Sequence, residues 1–325
     1  MPVILIAGML LFGCHNDEAL SREDALKSIK ALDSDLNNFM DAAGAQSAIK
    51  GLAFLVNEPS SPFNDTHGIT GYVLSDSMPP LQDWFGTYIW SKDSGEFIFT
   101  PGEQGIEINF QSDPASENDL RMIVQGIGCH PFFTKPCFPD LFEAIMQENN
   151  DDILEIRYRA EFSGELPSGI TLELVGKSFR GHFESSRTRE GNTGTVSTSF
   201  EFSARGSAIM KGTIFYQVGY NGDQVFLRTA EPDFRLFDIH IKGILDYTKV
   251  DPTSEDYIGS FNRGSHIEFT EQGSGRSIGK FGIGTDETGE LLEWVILPGN
   301  GPTISLYDHV LVFRKIMDYK YPNRI

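Results

Sequence analysis

The chain has 325 residues, enough for one large domain or two of medium size. Its 46 acidic residues outnumber its 26 Lys and Arg, which gives a formal net charge of −20 at pH 7. Because nucleic acids and anionic lipids bind through Lys and Arg, this balance argues against both as direct partners of the protein surface. The 40% hydrophobic fraction supports a sizeable core and excludes a disordered chain.

The N-terminal stretch "MPVILIAGMLLFGC" carries no charged side chain before Cys14. It is shorter than the roughly 20 residues of a transmembrane helix but suits the apolar region of a signal peptide. Leu11 and Gly13 before Cys14 resemble a bacterial lipobox. We therefore expect residues 1–13 to be a signal peptide and Cys14 to carry the lipid that holds the protein on a membrane. No Lys or Arg precedes the apolar run, and a buried strand or core cysteine is the alternative.

A helical arm is predicted from Glu18 to about Leu55, with a break near Gly44. Ser21 followed by Asp24 is a variant of the capping box. Apolar residues recur at spacings of three and four, which places them on one helical stripe: Leu26, Ile29, Leu32, Leu36 and Phe39. We assign residues 14–56 to the lipid anchor and helical arm, and residues 57–325 to an antiparallel β domain.

From Ile69 onward the apolar pattern changes to a period of two, which is typical of strands with one wet face. The clearest examples are "ILEIRYRAEF", "TVSTSFEFSA", "MKGTIFYQVGY" and "RLFDIHIKGIL". We expect an α+β fold that is mainly β, a curved antiparallel sheet or half-barrel with the N-terminal helices packed on it. A short helix is predicted at "PDLFEAIMQENN", with Pro139 in its first turn. The C-terminal "ISLYDHVLVFRKIMDYKY" fits a strand, a helix, or a strand that runs into a helix.

Aromatic side chains are concentrated in "WFGTYIW", which holds Trp84, Phe85, Tyr88 and Trp90. On a regular strand, Trp84, Tyr88 and Trp90 share one face. Such a face suits an exposed platform for sugar rings, but large aromatics also bury extensive area in cores. The pattern alone leaves both interpretations open, and we favour the core.

Cys129 and Cys137 flank a short loop, "GCHPFFTKPC". In an oxidising cell-envelope compartment, a disulfide is the leading interpretation. A metal site with His130 is the alternative, but a second pair at zinc-ligand spacing is missing from the sequence. Two unpaired thiols are the third option. We expect no metal site and no cofactor.

The segment "GRSIG" fits the G-x-S-x-G pattern of a hydrolase nucleophile elbow around Ser277, with Asp286 and His309 following in chain order. That elbow needs a helix after the serine, and the sequence that follows is rich in glycine. A hairpin turn is the better interpretation, and we assign no catalytic residue.

Four features of the sequence together carry a family resemblance: Cys14, the helical "ALKSIKALDSDLNNFMDAAG", "FGTYIWSKDSGEFIFT" with "IEINF", and strands ending in "VLVFRK". In these features the chain resembles a group of uncharacterised Bacteroidetes cell-envelope lipoproteins. The resemblance implies no activity and no catalytic residue. A more distant analogy is with half-barrel lipoprotein carriers, which wrap an antiparallel sheet around acyl chains.

These features predict a non-enzymatic lipoprotein of the cell envelope, anchored in the outer membrane, that binds a ligand or partner. An apolar ligand is the first expectation, surface glycan binding the alternative, and a hydrolase using Ser277 ranks third. The candidate ligand-binding residues are Trp84, Tyr88, Trp90, Phe200 and Tyr216. Whether the apolar sheet face is a packed core or a cavity is left open by the sequence.

Overall fold

A computed structural model describes residues 19–42, 45–63, 81–103, 105–111, 119–129, 139–164, 166–221, 224–285, 291–298 and 303–310. Within these ranges, 59% of residues lie in strands and 19% in helices. The fold is α+β and mainly β, and its strands pair predominantly antiparallel, which confirms the predicted fold class. Among the described helices, none has both the length and the apolar character that a membrane span requires.

Four helices and seventeen strands are described. The helices are α1 (Arg22–Ala42), α2 (Ala45–Asn57), α3 (Tyr257–Gly264) and α4 (Leu306–His309). The strands are β1 (Gly86–Ser91), β2 (Glu96–Pro101), β3 (Ile106–Phe110), β4 (Leu120–Cys129), β5 (Pro139–Glu148), β6 (Asp151–Ser163), β7 (Leu166–Gly176), β8 (Phe179–Glu190), β9 (Thr193–Ala204), β10 (Ser207–Asn221), β11 (Gln224–Leu236), β12 (Ile239–Lys242), β13 (Leu245–Asp246), β14 (Glu268–Glu271), β15 (Ser277–Thr285), β16 (Leu291–Leu297) and β17 (Ile304–Ser305).

The chain divides into two compact units. The central unit comprises Asn38–Thr213, and the terminal unit comprises Met1–Asn37 together with Ile214–Ile325. The chain passes from one unit to the other within α1 and again within β10. Each unit has its own cluster of buried apolar side chains.

In the central unit, β1 pairs antiparallel with β2 and parallel with β3. From β3 to β9, each strand pairs antiparallel with the next one along the chain. The apolar face of these strands packs against α2, whose Ala48 and Leu55 are fully buried. The opposite face carries ion pairs such as Arg157 with Glu173. The two faces follow from the alternation of side chains along each strand.

Helix α2 lies close to the sheet at Gly51. A Cβ atom there would lie 2.7 Å from Leu120 Cδ1, 3.1 Å from Phe110 Cε2 and 3.3 Å from Met146 Sδ. These three side chains are fully buried, and at 2.7 Å the added Cβ would force Leu120 to shift within the core. One turn later, Phe54 stacks on Phe110 with ring centroids 6.0 Å apart. A residue without a side chain at position 51 therefore allows α2 to pack this closely.

In the terminal unit, β11 pairs with β12 and β13, and the chain of antiparallel partners continues from β12 through β14, β15, β16 and β17. The N-terminal part of α1 covers the apolar face of this sheet with Ala25, Ile29 and Leu32. Two hydrogen bonds fasten it there: Leu20 N donates to Ser277 O at 2.7 Å, and Ser28 Oγ donates to Glu271 Oε1 at 2.6 Å.

Ser21 caps the start of α1, which confirms the N-cap half of the predicted capping box. Asp24 N donates to Ser21 Oγ at 3.1 Å, and Ser21 Oγ donates to Asp24 Oδ2 at 2.8 Å. The side chain of Ser21 thus satisfies one of the amides that the first helical turn leaves without a carbonyl acceptor. Helix α1 ends at Ala42 and α2 begins at Ala45, and the break that we predicted near Gly44 lies outside the described residues.

The helix predicted at residues 139–150 is wrong, because this segment forms β5 and the turn that follows it. Its Leu, Glu, Ala and Met favour helix, but β5 pairs with β4 on one side and β6 on the other. Asn149 and Asn150 have φ angles of 51° and 69°, the left-handed pair that a two-residue hairpin turn requires. Tertiary pairing and turn chemistry thus outweigh helix propensity.

The single strand predicted at "RLFDIHIKGIL" is also wrong. The chain turns at Phe237, which has a φ of 51°, so β11 and β12 form a hairpin and Leu245 belongs to β13. Ile239, Ile241 and Leu245 are nevertheless buried together in one core. At the C-terminal end, β17 runs into α4, and residues 311–325 lie outside the described ranges.

We predict that Gly51→Ala destabilises the protein, although alanine favours helix over glycine. The added methyl group overpacks a rigid core, which typically costs about 1–3 kcal/mol of unfolding free energy. Urea denaturation measures this change. Lys50→Ala, on the exposed side of the same helix, is the matched control and should alter stability little. A Gly51→Ala variant as stable as the wild type would contradict the close packing of α2.

Candidate functional site

A cleft with a volume of about 580 Å³ opens on the polar face of the terminal unit's sheet. Two cross-strand rows of side chains run across this face from β11 through β12 and β14 to β15. The first row consists of Arg235, His240, Thr270 and Ser277 in direct register. The second row, two residues further along each strand, consists of Asp233, Lys242, Glu268 and Lys280.

Strand alternation explains why these polar groups share one face. Phe234, Ile239 and Phe269 alternate with them and point into the core. In β15, a bulge opposite Phe269 and Thr270 accommodates an extra residue, so that Ser277 and Lys280 both remain in register with polar partners on β14. Because α1 covers the apolar face, the polar side chains that alternate with the buried residues lie on the opposite face and form the cleft.

The hairpin between β14 and β15 forms the rim of the cleft at Gln272 and Gly275. Gly275 N donates to Glu271 O at 2.7 Å, and Gly275 has a φ of 69°, which favours glycine. Gly279 lies at the bulge. Both glycines of the "GRSIG" segment therefore have a role in the hairpin, as the sequence led us to expect.

Asp233 is the centre of charge pairing in the second row. Its carboxylate binds Lys242 Nζ at 2.8 Å through one oxygen and His240 Nε2 at 2.8 Å through the other. The hydrogen bond from Lys242, followed by that from His240, holds the pKa of Asp233 below its ordinary value. Asp233 therefore orients His240 in the cleft floor and neutralises Lys242.

Arg235 and Lys280 stand at opposite sides of the cleft, and both are exposed. Neither makes an ion pair with any residue that the structure describes. Glu271, at the rim, accepts hydrogen bonds from Ser28 and from Ser274, and these bonds lower its pKa. The carboxylate of Glu271 therefore has hydrogen-bond donors within the protein. The guanidinium of Arg235, in contrast, can donate hydrogen bonds to an acceptor on a ligand.

The predicted aromatic group packs in the central unit. Tyr88 is only 5% exposed, and its hydroxyl donates to Trp84 O at 3.0 Å. Trp90 lies edge-on between Phe54 at 4.9 Å and Phe97 at 5.3 Å. Trp84 lies in a 3₁₀ turn before β1 rather than on the strand, and it also packs against the core. This packing supports the core interpretation over an exposed platform.

The other two candidate ligand-binding residues are not among the described residues that line the cleft. Phe200 is half-buried in β9 of the central unit. Tyr216 is half-buried in β10, and burial, with a smaller contribution from Tyr247, raises its pKa. Neither residue belongs to the described lining of the cleft.

Of the predicted cysteine sites, Cys14 and Cys137 lie outside the described residues. Cys129 ends β4, opposite Pro139 of β5. The lipid anchor and the disulfide both stay predictions.

Ser277 lines the cleft at the start of β15, after a turn and not before a helix. Within the described ranges, no histidine hydrogen-bonds its Oγ. His309 ends α4, and Asp286 lies outside the described residues. The strand, turn and helix that a nucleophile elbow needs are therefore not the local structure here.

Two further depressions, each of about 320 Å³, have charged groups in their lining. One lies between α1 and the β14–β15 hairpin in the terminal unit, and the other lies on the charged face of β5 and β6 in the central unit. In the second depression, Arg157 pairs with Glu155 and Arg159 with Glu143. No group of three metal-ligating side chains converges in the part of the chain that the structure describes.

No protein-family model, curated protein or solved structure matches this chain.

Sequence patterns identified part of the cleft and missed the rest. His240 and Lys242 lie in the alternating segment "RLFDIHIKGIL", and Ser277 lies in "GRSIG". Arg235, Thr270 and Lys280 gave no local signal, because only the pairing of distant strands brings them into one row. The turn at Phe237 is the local feature that pairs Arg235 with His240 across the β11–β12 hairpin.

We predict that the stability contributed by Asp233 depends on pH. The folded pKa of Asp233 lies below its ordinary value of 3.8. The carboxylate therefore contributes stability above about pH 4, and this contribution is lost as pH falls through the folded pKa. The difference in unfolding free energy between wild type and Asp233→Asn should be present at pH 7 and shrink as the pH falls below about 4.

Chemical denaturation at a series of pH values measures this difference. Glu255→Gln, at an exposed carboxylate of the same unit, is the control and should show a smaller difference at every pH. A difference for Asp233→Asn that does not change with pH would contradict the described pairing with Lys242 and His240.

Proposed function

We propose that this protein is a non-enzymatic, lipid-anchored protein of the cell envelope that binds a polar ligand in the cleft between Arg235 and Lys280. The observation that carries the proposal is the row Arg235, His240, Thr270 and Ser277, which directs hydrogen-bonding groups from four strands into one concave volume. A volume of about 580 Å³ lies within the range of about 300–1,000 Å³ that small-molecule sites occupy.

The site is built on a rigid support. The strands that carry the row are packed on the buried face by α1, and Ile29 and Ile278 are almost inaccessible to solvent. Side chains on paired strands keep their spacing better than side chains on loops, so the polar groups are positioned before a ligand arrives. Preorganisation of this kind lowers the entropic cost of binding.

The membrane anchor in the proposal rests on the sequence around Cys14. A lipid-modified cysteine at the mature N-terminus would tether the helical arm, and the outer membrane is the proposed location. Acyl chains contribute about 0.8 kcal/mol per buried methylene, so more than one chain makes the attachment stable.

An apolar ligand is the second candidate, and one observation favours it. Phe142, Tyr158, Leu172, Phe183 and Phe200 form a single cross-strand row over β5 to β9. All five are half-buried, in contrast to the fully buried Met146 and Leu154 further along the same face. This row is where an acyl chain would contact the central unit.

Native mass spectrometry of the full chain, exported and purified from the envelope fraction, tests the proposed function. We predict that the wild type carries a polar small molecule that is lost on denaturation. Thr270→Trp places a large side chain in the cleft floor and should abolish the bound mass. Thr188→Trp makes the same change on an exposed strand position of the central unit and should retain it.

A wild type without bound mass, or a mass that persists in Thr270→Trp, would contradict the polar cleft. A bound lipid that is retained in Thr270→Trp and lost in Phe200→Asp would favour the second candidate instead. Melting temperatures of all variants show whether a lost mass reflects a lost fold.

The anchor has its own test. We predict that Cys14→Ser moves the protein from the membrane fraction to the soluble envelope fraction and removes the mass of the lipid. Fractionation followed by intact-mass analysis measures both changes. Cys129→Ser is the control, since this cysteine lies in β4, and it should leave fractionation unchanged. Unaltered fractionation of Cys14→Ser would refute lipidation at that residue.

A further inference from the structure

We infer that the cleft recognises a ligand carrying an oxyanion group together with several hydroxyls, the chemistry of an acidic sugar. This inference rests on the proposed function and specifies the class of ligand. It starts from the charges in the two rows. The second row alternates in sign across the four strands, as Asp233, Lys242, Glu268 and Lys280, so its formal charges sum to zero. The first row contains Arg235 and no carboxylate.

Arg235 is therefore the cation that lacks compensation in its own row. Its cross-strand neighbour His240 has Nε2 committed to Asp233 at 2.8 Å. Its next neighbours in the row, Thr270 and Ser277, carry hydroxyls. An exposed guanidinium beside hydroxyl donors suits a carboxylate or phosphate, because the planar fork of arginine binds two oxygens at once.

The net charge of −20 does not prevent anion binding at Arg235. Several cations of the chain are paired internally, and Lys242, Lys211 and Arg263 each have a carboxylate within 3.0 Å. Salt in solution screens the remote negative charge beyond about 8–10 Å, so a local cation can still bind an anion. Within the described residues, Arg235 has no such internal carboxylate and remains available to a ligand.

The remaining lining specifies the rest of the ligand. Arg235 and Ser277 are separated by three strand spacings, or roughly 14 Å between backbones. Thr270, Glu268, Ser277 and Lys280 offer both donors and acceptors over that distance. The described lining contains no Trp, Tyr or Phe, so ring stacking is not the means of recognition there. A ligand with an oxyanion at Arg235 and hydroxyls opposite the other side chains would pair with the donors and acceptors of this lining.

Isothermal titration of the full chain with three probes tests the inference. The probes are glucose, glucuronate and glucose 6-phosphate, which share one sugar ring. Glucose is neutral, glucuronate carries a carboxylate, and glucose 6-phosphate carries a phosphate. The wild type should bind at least one anionic probe at least about tenfold more tightly than glucose, the size of effect expected for a charge-assisted pair. Which anionic probe binds more tightly distinguishes a carboxylate from a phosphate.

Arg235→Gln should remove the preference for the anionic probe over glucose. Arg228→Gln, the same substitution at an exposed position of the same strand, is the matched control and should retain the preference. Equal affinity for all three probes, no binding of either anionic probe, or a preference that survives Arg235→Gln would overturn the inference.

The two proposals fail in different ways. If the native ligand is neutral and is lost in Thr270→Trp, the cleft binds a polar ligand and only the oxyanion inference is wrong. If the native ligand persists in Thr270→Trp, the cleft itself is not the site.

Discussion

The antiparallel register of β11, β12, β14 and β15 is the constraint on which the candidate site depends. Each strand offers one apolar face and one polar face, and burial under α1 determines which is which. A shift of one residue in any of these strands would exchange the faces and disperse the row. The bulge in β15 shows how closely the register is maintained, because it absorbs one extra residue and keeps Ser277 opposite Thr270.

Both units bury one face of a sheet under helical residues, but the charged side chains on their exposed faces are arranged differently. In both, helical residues near the N-terminus cover an apolar sheet face and leave a charged face outside. In the central unit, cross-strand partners such as Arg157 and Glu173, or Arg159 and Glu143, compensate one another. Exposed pairs of this kind stabilise the fold by little, about 0–1 kcal/mol each. In the terminal unit, the row of Arg235, His240, Thr270 and Ser277 contains a cation and no carboxylate, and this row lines the cleft.

The fold class was predictable from the sequence because periodicity is a local property. The stripe on α1, its capping box at Ser21, and the alternation in β6 and β9 were all readable residue by residue. The errors arose where distant pairing outweighs local preference. β5 has a helix-like composition but lies between two strands, and the turn at Phe237 requires a conformation that its residue type does not announce. The candidate site was hidden for the same reason, since Arg235 and Ser277 are joined only through the register of four strands.

The most direct test of the account is the ¹⁵Nε resonance of Arg235, observed by NMR and assigned by its absence in Arg235→Gln. If the unpaired guanidinium holds the oxyanion of the ligand, titration with the anionic probe should shift this resonance and slow exchange of its proton, whereas glucose should leave it unchanged. An Arg235 resonance that does not respond to either probe would contradict the central claim that this row of side chains is a binding site.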